Sequence, residues 1–197
     1  MSTPVGQVSG PVGQASRPAE QTKKIRLATV WLDGCSGCHM SLLDTDERLI
    51  ELAKRVTVVW GPLVDMKEFP AEVDVTLVEG AISSEEDLHR IKMVRARTKL
   101  LVSLGDCAVT GNVPAMRNQI APRKLLERIY IEGVQENPGI PTEGVPALLR
   151  HAIPVHEVVK VDLHVPGCPP PAQAIAFVLG ELLDGRIPDL STKVKFG

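Results

Sequence analysis

The sequence predicts an α/β fold, a flavodoxin-like, doubly wound, mainly parallel five-stranded sheet with helices on both faces. Two observations carry this expectation. Short, almost continuously apolar runs alternate with amphipathic stretches of helical period, the pattern of a parallel sheet joined by crossover helices. The runs show little polar alternation, so both faces of the sheet should be buried. A length of 197 residues suits one such domain.

The elements follow in order. Strand one is Ile25 to Leu32. The next helix has Met40, Leu42, Leu43, Leu49, Ile50, Leu52 and Ala53 as its apolar face and Asp44, Asp46, Glu47, Arg48 and Glu51 as its wet one. Strand two, Val56 to Trp60, is closed by Gly61-Pro62. Strand three is Val73 to Val78, and its helix begins at Ser83, which has the spacing of a capping box with Glu86, and runs to Arg97. Strand four, Lys99 to Leu104, leads through Gly105-Asp106-Cys107 to a helix around Pro122 to Tyr130. Strand five, Val158 to Val165, runs into Pro166-Gly167-Cys168, and a last helix, Ala172 to Leu183, stops at Asp184-Gly185. Residues 1–24 read as a low-complexity extension built on a seven-residue repeat with Pro4, Pro11 and Pro18 at its steps, which excludes a coiled coil. Residues 25–197 read as the folded domain. The stretch from Gly133 to Pro154, with Pro138, Pro141 and Pro146, reads as a long partner-facing loop.

With 44% hydrophobic and 23% charged residues the chain resembles an average globular protein, and a net charge of −2 implies no nucleic-acid partner. No apolar run approaches the ~18 residues of a membrane span. No apolar signal region precedes strand one, so the expected location is cytoplasmic.

The chemistry lies in the four cysteines, Cys35, Cys38, Cys107 and Cys168. Cys35, Cys107 and Cys168 each fall three residues after a strand, which puts them at the carboxyl edge of one parallel sheet, where ligands of open α/β sheets bind. Four thiolates meeting there need a cation to neutralise them, and both zinc and iron–sulfur clusters accept such sets. A redox-active C-x-x-C pair is a further reading. One C-x-x-C knuckle with lone cysteines 69 and 61 positions further on suits a cluster better than paired zinc knuckles. Gly34, Gly37, Gly105, Gly111 and Gly167 flank these segments, where glycine lets backbone N–H groups approach sulfur. Pro169-Pro170-Pro171 stiffens the last loop. Of five histidines only His39, next to Cys38, is a site candidate, and Glu79-Gly80 should border the same edge.

The segments Trp31-Leu32-Asp33-Gly34-Cys35-Ser36-Gly37-Cys38-His39-Met40-Ser41-Leu42-Leu43, Gly105-Asp106-Cys107-Ala108 with Gly111-Asn112, and Val165-Pro166-Gly167-Cys168-Pro169-Pro170 resemble the cluster-binding segments of the small subunits of [NiFe] hydrogenases. The resemblance spans residues 25–185. It implies one proximal [4Fe–4S] cluster ligated by Cys35, Cys38, Cys107 and Cys168, with the Ni–Fe centre in a separate large subunit and no catalytic residue on this chain. No cysteine follows Cys168, so a single cluster is expected, as in the short small subunit of the soluble NAD-reducing type. That type implies further partners: diaphorase subunits with FMN and additional iron–sulfur clusters, which take electrons from H2 to NAD+. Other hydrogenase types are alternatives. So is the related quinone-site subunit of complex I, in which the first two ligands are adjacent, whereas Ser36 and Gly37 separate them here. A zinc-stabilised binding module is the reading from another class. The surface around Asp33, His39, Glu79 and the 133–154 loop is expected to be partner-covered.

Overall fold

The computed structural model describes residues 24–62 and 64–196. The seven-residue repeat therefore lies outside the described residues, apart from Lys24. In chain order the strands are β1 (Ile25–Trp31), β2 (Val56–Trp60), β3 (Val73–Glu79), β4 (Ile82–Ser84), β5 (Thr98–Leu104), β6 (Leu148–Ile153) and β7 (Leu163–Val165). The helices are α1 (Gly37–Leu43), α2 (Arg48–Arg55), α3 (Glu85–Ala96), α4 (Asp106–Thr110), α5 (Asn112–Ala115), α6 (Pro122–Glu127) and α7 (Ala172–Leu183).

Five strands pair in the order β2-β1-β3-β5-β7, every neighbour parallel. This is the flavodoxin-like order, and the chain reverses direction across the sheet between β1 and β3. Successive residues of the central strands serve opposite cores. Leu27, Leu77, Val102 and Leu104 face one side with Ile175, Val178 and Leu179 of α7 and Leu42 of α1. Ala28, Val30, Val78 and Leu101 face the other with Ile91 and Val94 of α3. Both faces are thus buried, as the continuous apolar runs require. Among the described residues no helix is long and apolar enough to cross a membrane.

Four details differ from the expectations drawn from sequence. The first helix is two, because Asp46 takes a φ of 51° and Asp44–Glu47 form a turn between α1 and α2. The capping box sits one residue later, at Ser84 and Asp87: Asp87 N–H donates to Ser84 Oγ (3.1 Å) and Ser84 N–H to Asp87 Oδ2 (3.0 Å). The shift occurs because the extended backbone of β4 runs through Ser84, so the helix starts only at Glu85 and Ser84 takes the cap. The expected loop at 133–154 contains β6, which pairs antiparallel with β4, so only its first part lacks regular structure. Strand five is the three-residue β7, preceded by a 3₁₀ turn at Val155–Glu157. Val158, Val159 and Val161 pack on the core without joining the sheet. Pairing with β5 starts where Asp162 N–H donates to Leu101 O (2.9 Å) and its carboxylate accepts from Leu101 N–H (2.9 Å).

Candidate metal centre

Cys35 follows β1, Cys107 lies in the first turn of α4 just after β5, Cys168 follows β7, and Cys38 lies in the first turn of α1. All four predicted site residues come to one edge of the sheet. Cys38 is buried at 7% exposure, Cys107 half-buried, and Cys35 and Cys168 exposed. Gly105 shows how close they stand: a Cβ built on it would overlap Cys38 Sγ. Gly37 N–H donates to Cys35 Sγ at 3.4 Å, and Asn112 Nδ2 to Cys168 Sγ at 3.5 Å.

Electrostatics show the same convergence. Burial first, then the Glu79 carboxylate and the sulfurs of Cys107, Cys35 and Cys168, push the Cys38 thiol far above the ordinary thiol range. Burial pushes the Cys107 thiol up to about 11, with Cys168 and Cys35 adding to it. A neighbourhood that resists ionisation of Cys38 and Cys107 in this way needs a cationic occupant before both become thiolates. The donor set and the space left by Gly105 fit an iron–sulfur group. Among the described residues no three His, Cys, Asp or Glu side chains close on a point as ligands of a single metal ion.

Side chains and backbone tie the cysteine loops to one another. Asp106, buried at 5% exposure, accepts from Gly167 N–H (2.6 Å), while its own N–H donates to Gly167 O (2.9 Å). That reciprocal pair joins the Cys107 segment to the Cys168 loop. Ser41 Oγ–H donates to Pro170 O (2.6 Å), joining α1 to the same loop. The β1 loop is fixed to β3 by Leu32 N–H on Glu79 O (2.9 Å) and by the reciprocal Asp33–Ala81 bridge (3.0 and 2.8 Å). Trp31 Nε1–H donates to Gly34 O (2.9 Å) and braces the turn that presents Cys35. Sequence pattern alone assigns no role to Asp106, Ser41 or Asn112. The only local hint is that two of them lie within two residues of Gly105 or Gly111.

Glu79 borders the site as expected, yet it is not surface that a partner could cover. Its side chain lies inside the domain at 2% exposure, with Oε2 accepting from His39 N–H (3.0 Å) and from His39 Nδ1 (2.5 Å). The His39 ring is largely enclosed too. The reason is topological, because β3 neighbours β1 and its last side chain reaches under the start of α1. Glu79→Ala is expected to cost about 1–3 kcal/mol, the penalty for buried donors left unpaired. Glu79→Gln keeps an acceptor for the His39 N–H and should cost less. Denaturant unfolding of the two variants measures the difference, and equal stability would remove Glu79 from this role.

A doubly wound α/β domain that gathers four thiols at the carboxyl edge of its sheet is thus the class that fold and site define. Residues 35–182 match the family described as NADH ubiquinone oxidoreductase, 20 Kd subunit. The chain belongs to that family, and within it to the group containing the small subunits of NAD-reducing hydrogenases. It is 40% identical over 181 residues to the NAD-reducing hydrogenase HoxS subunit delta of Cupriavidus necator, an alignment covering 89% of this chain and 87% of that one. It is 39% identical over 175 residues to a vhu subunit of the F420-non-reducing hydrogenase of Methanocaldococcus jannaschii, an alignment covering 88% of this chain and 61% of that longer one. Among solved structures, a NAD+-reducing [NiFe]-hydrogenase in the H2-reduced state superposes with a TM-score of 0.85 at 40% identity, covering 89% of this chain and 100% of that one. The [NiFeSe] hydrogenase of Desulfovibrio vulgaris Hildenborough, at TM-score 0.57 and 17% identity over 83% of this chain, shares the fold.

Proposed function

We propose that Cys35, Cys38, Cys107 and Cys168 hold one [4Fe–4S] cluster and that the chain is the electron-transfer small subunit of a cytoplasmic [NiFe] hydrogenase. Its partners are a large subunit with the Ni–Fe centre and a diaphorase module with flavin and further iron–sulfur clusters. The observation that carries this reading is the set of four sulfurs at one sheet edge, close enough that three of them load charge onto Cys38. When bound, the cluster supplies one-electron transfer between the hydrogen-splitting centre and the module that reduces NAD+.

The chain's own residues hold and insulate. Cys38 anchors the site in the core below it, while Gly37 N–H donates to a ligand sulfur. Asp106 and Ser41 keep the three loops in register. A polynuclear cluster accepts thiolates set wider apart than the coordination sphere of one zinc ion, which favours iron–sulfur over a structural zinc. Ser36 and Gly37 between the first two cysteines, together with the extent of similarity to the delta subunit, favour the hydrogenase branch of the family. Met40, Val113 and Met116 stand exposed on elements next to the ligands, apolar surface suited to cover by the large subunit.

Anaerobic iron and sulfide analysis of the purified protein is expected to give about four of each per chain, the composition of a Cys₄ cubane. One equivalent of zinc without sulfide would overturn the reading.

A further inference from the structure

We propose that Asn112 is a positioning residue that raises the electron affinity of the thiolate site by donating a hydrogen bond to Cys168 Sγ. This rests on the cluster reading above and adds a residue that sets the potential. The contact is direct, Asn112 Nδ2 to Cys168 Sγ at 3.5 Å, between side chains 56 residues apart in sequence. The donor sits at a positive-φ corner of the backbone. Asn112 has a φ of 31° immediately after Gly111 at 87°, and a side chain in the left-handed region is a strain that glycine would avoid. The residue occupying this position nevertheless carries an amide.

Cys168 has need of such a donor. It is an exposed thiol, followed directly by Pro169, Pro170 and Pro171, none of which has an N–H to offer. A side-chain amide from the Cys107 side of the site makes up for this. Reduction adds negative charge to the cluster and its thiolates, and a donor aimed at a ligand sulfur stabilises the more negative state. Asn112 therefore raises the potential of the site and does so at its exposed corner. Its position just after α4 also makes the donor part of the Cys107 segment, which Asp106 already fastens to the Cys168 loop.

The test uses Asn112→Gly and Asn112→Asp in the purified complex, read by spectroscopic redox titration with iron and sulfide content measured on the same samples. Glycine removes the donor while relieving the backbone, so this variant should be no less stable than the unaltered protein. Aspartate keeps the side-chain shape and tolerates the left-handed region, but places a carboxylate against the sulfur. The midpoint potential is expected to fall in Asn112→Gly and to fall further in Asn112→Asp, with iron and sulfide unchanged. An unshifted potential in Asn112→Gly at full iron content overturns the proposal. Loss of iron from both variants also overturns it, by making Asn112 a structural residue. Absence of iron and sulfide from the unaltered protein is the separate failure of the cluster reading itself.

Discussion

Cys168→Ser, introduced into the assembled complex, is expected to lower hydrogen-driven NAD+ reduction by more than about 100-fold, beyond the 10–100-fold that loss of an outer-shell partner of a metal site typically brings. The reason is chemical. A serine hydroxyl is harder and far less acidic than a thiol, and it ligates iron–sulfur clusters poorly. The surrounding loop is fastened by contacts that do not involve the Cys168 side chain. Gly167 is held by Asp106, Pro170 by Ser41, and the Cys168 sulfur is exposed. The substitution should therefore damage ligation while leaving the loop folded. In the proposed complex, NADH oxidation by an artificial acceptor is expected to survive, because it would require only the flavin side. Both activities, iron content and subunit stoichiometry belong on one preparation. Hydrogen-driven NAD+ reduction near the unaltered rate would remove Cys168 from the ligand set.

The contrast between what was legible in the sequence and what was not follows from the range of the interactions. The sheet and its ligand edge could be read because each strand is a local apolar run, and parallel strands place all their carboxyl ends on one side. Once Cys35, Cys107 and Cys168 lie just beyond three such runs, their convergence needs no other information. Glu79 could be placed beside them for the same reason. What could not be read are interactions made by one side chain with distant backbone. Asp106 finds the Gly167 N–H 61 residues away, and no periodicity marks that partnership. β6 pairs with β4 across a comparable separation, and its sequence Leu148-Leu149-Arg150-His151-Ala152-Ile153 lacks the alternation that announces a strand. The Val158–Val161 run misled in the opposite sense. Its apolar residues are buried by packing against the core, and burial alone does not make a strand.

If the four cysteines hold the proposed cluster, Gly105→Ala should empty the site without replacing any ligand. Gly105 has φ 84° and ψ 158°, a region nearly reserved for glycine, and its N–H donates to Val165 O (2.8 Å), so the backbone cannot rotate away without breaking the link between β5 and β7. The added methyl would overlap the sulfur of Cys38, the most buried of the four thiols. Strain of about 1–3 kcal/mol from the backbone is therefore joined by displacement of a ligand. Iron and sulfide per folded chain are expected to drop to a small fraction of the unaltered content. Gly185→Ala is the matched control. Gly185 also has a positive φ, 73°, but its added methyl would meet nothing within 4 Å, so it carries backbone strain alone. That variant should lose about 1–2 kcal/mol of stability and keep its iron. If Gly105→Ala retained full iron and sulfide, Cys38 Sγ could not be held against Gly105 in the loaded protein, and the arrangement of the four thiols described above would be wrong. If both variants lost iron equally, strain at a left-handed glycine would account for the effect, and the close approach of Gly105 to Cys38 would play no part in it.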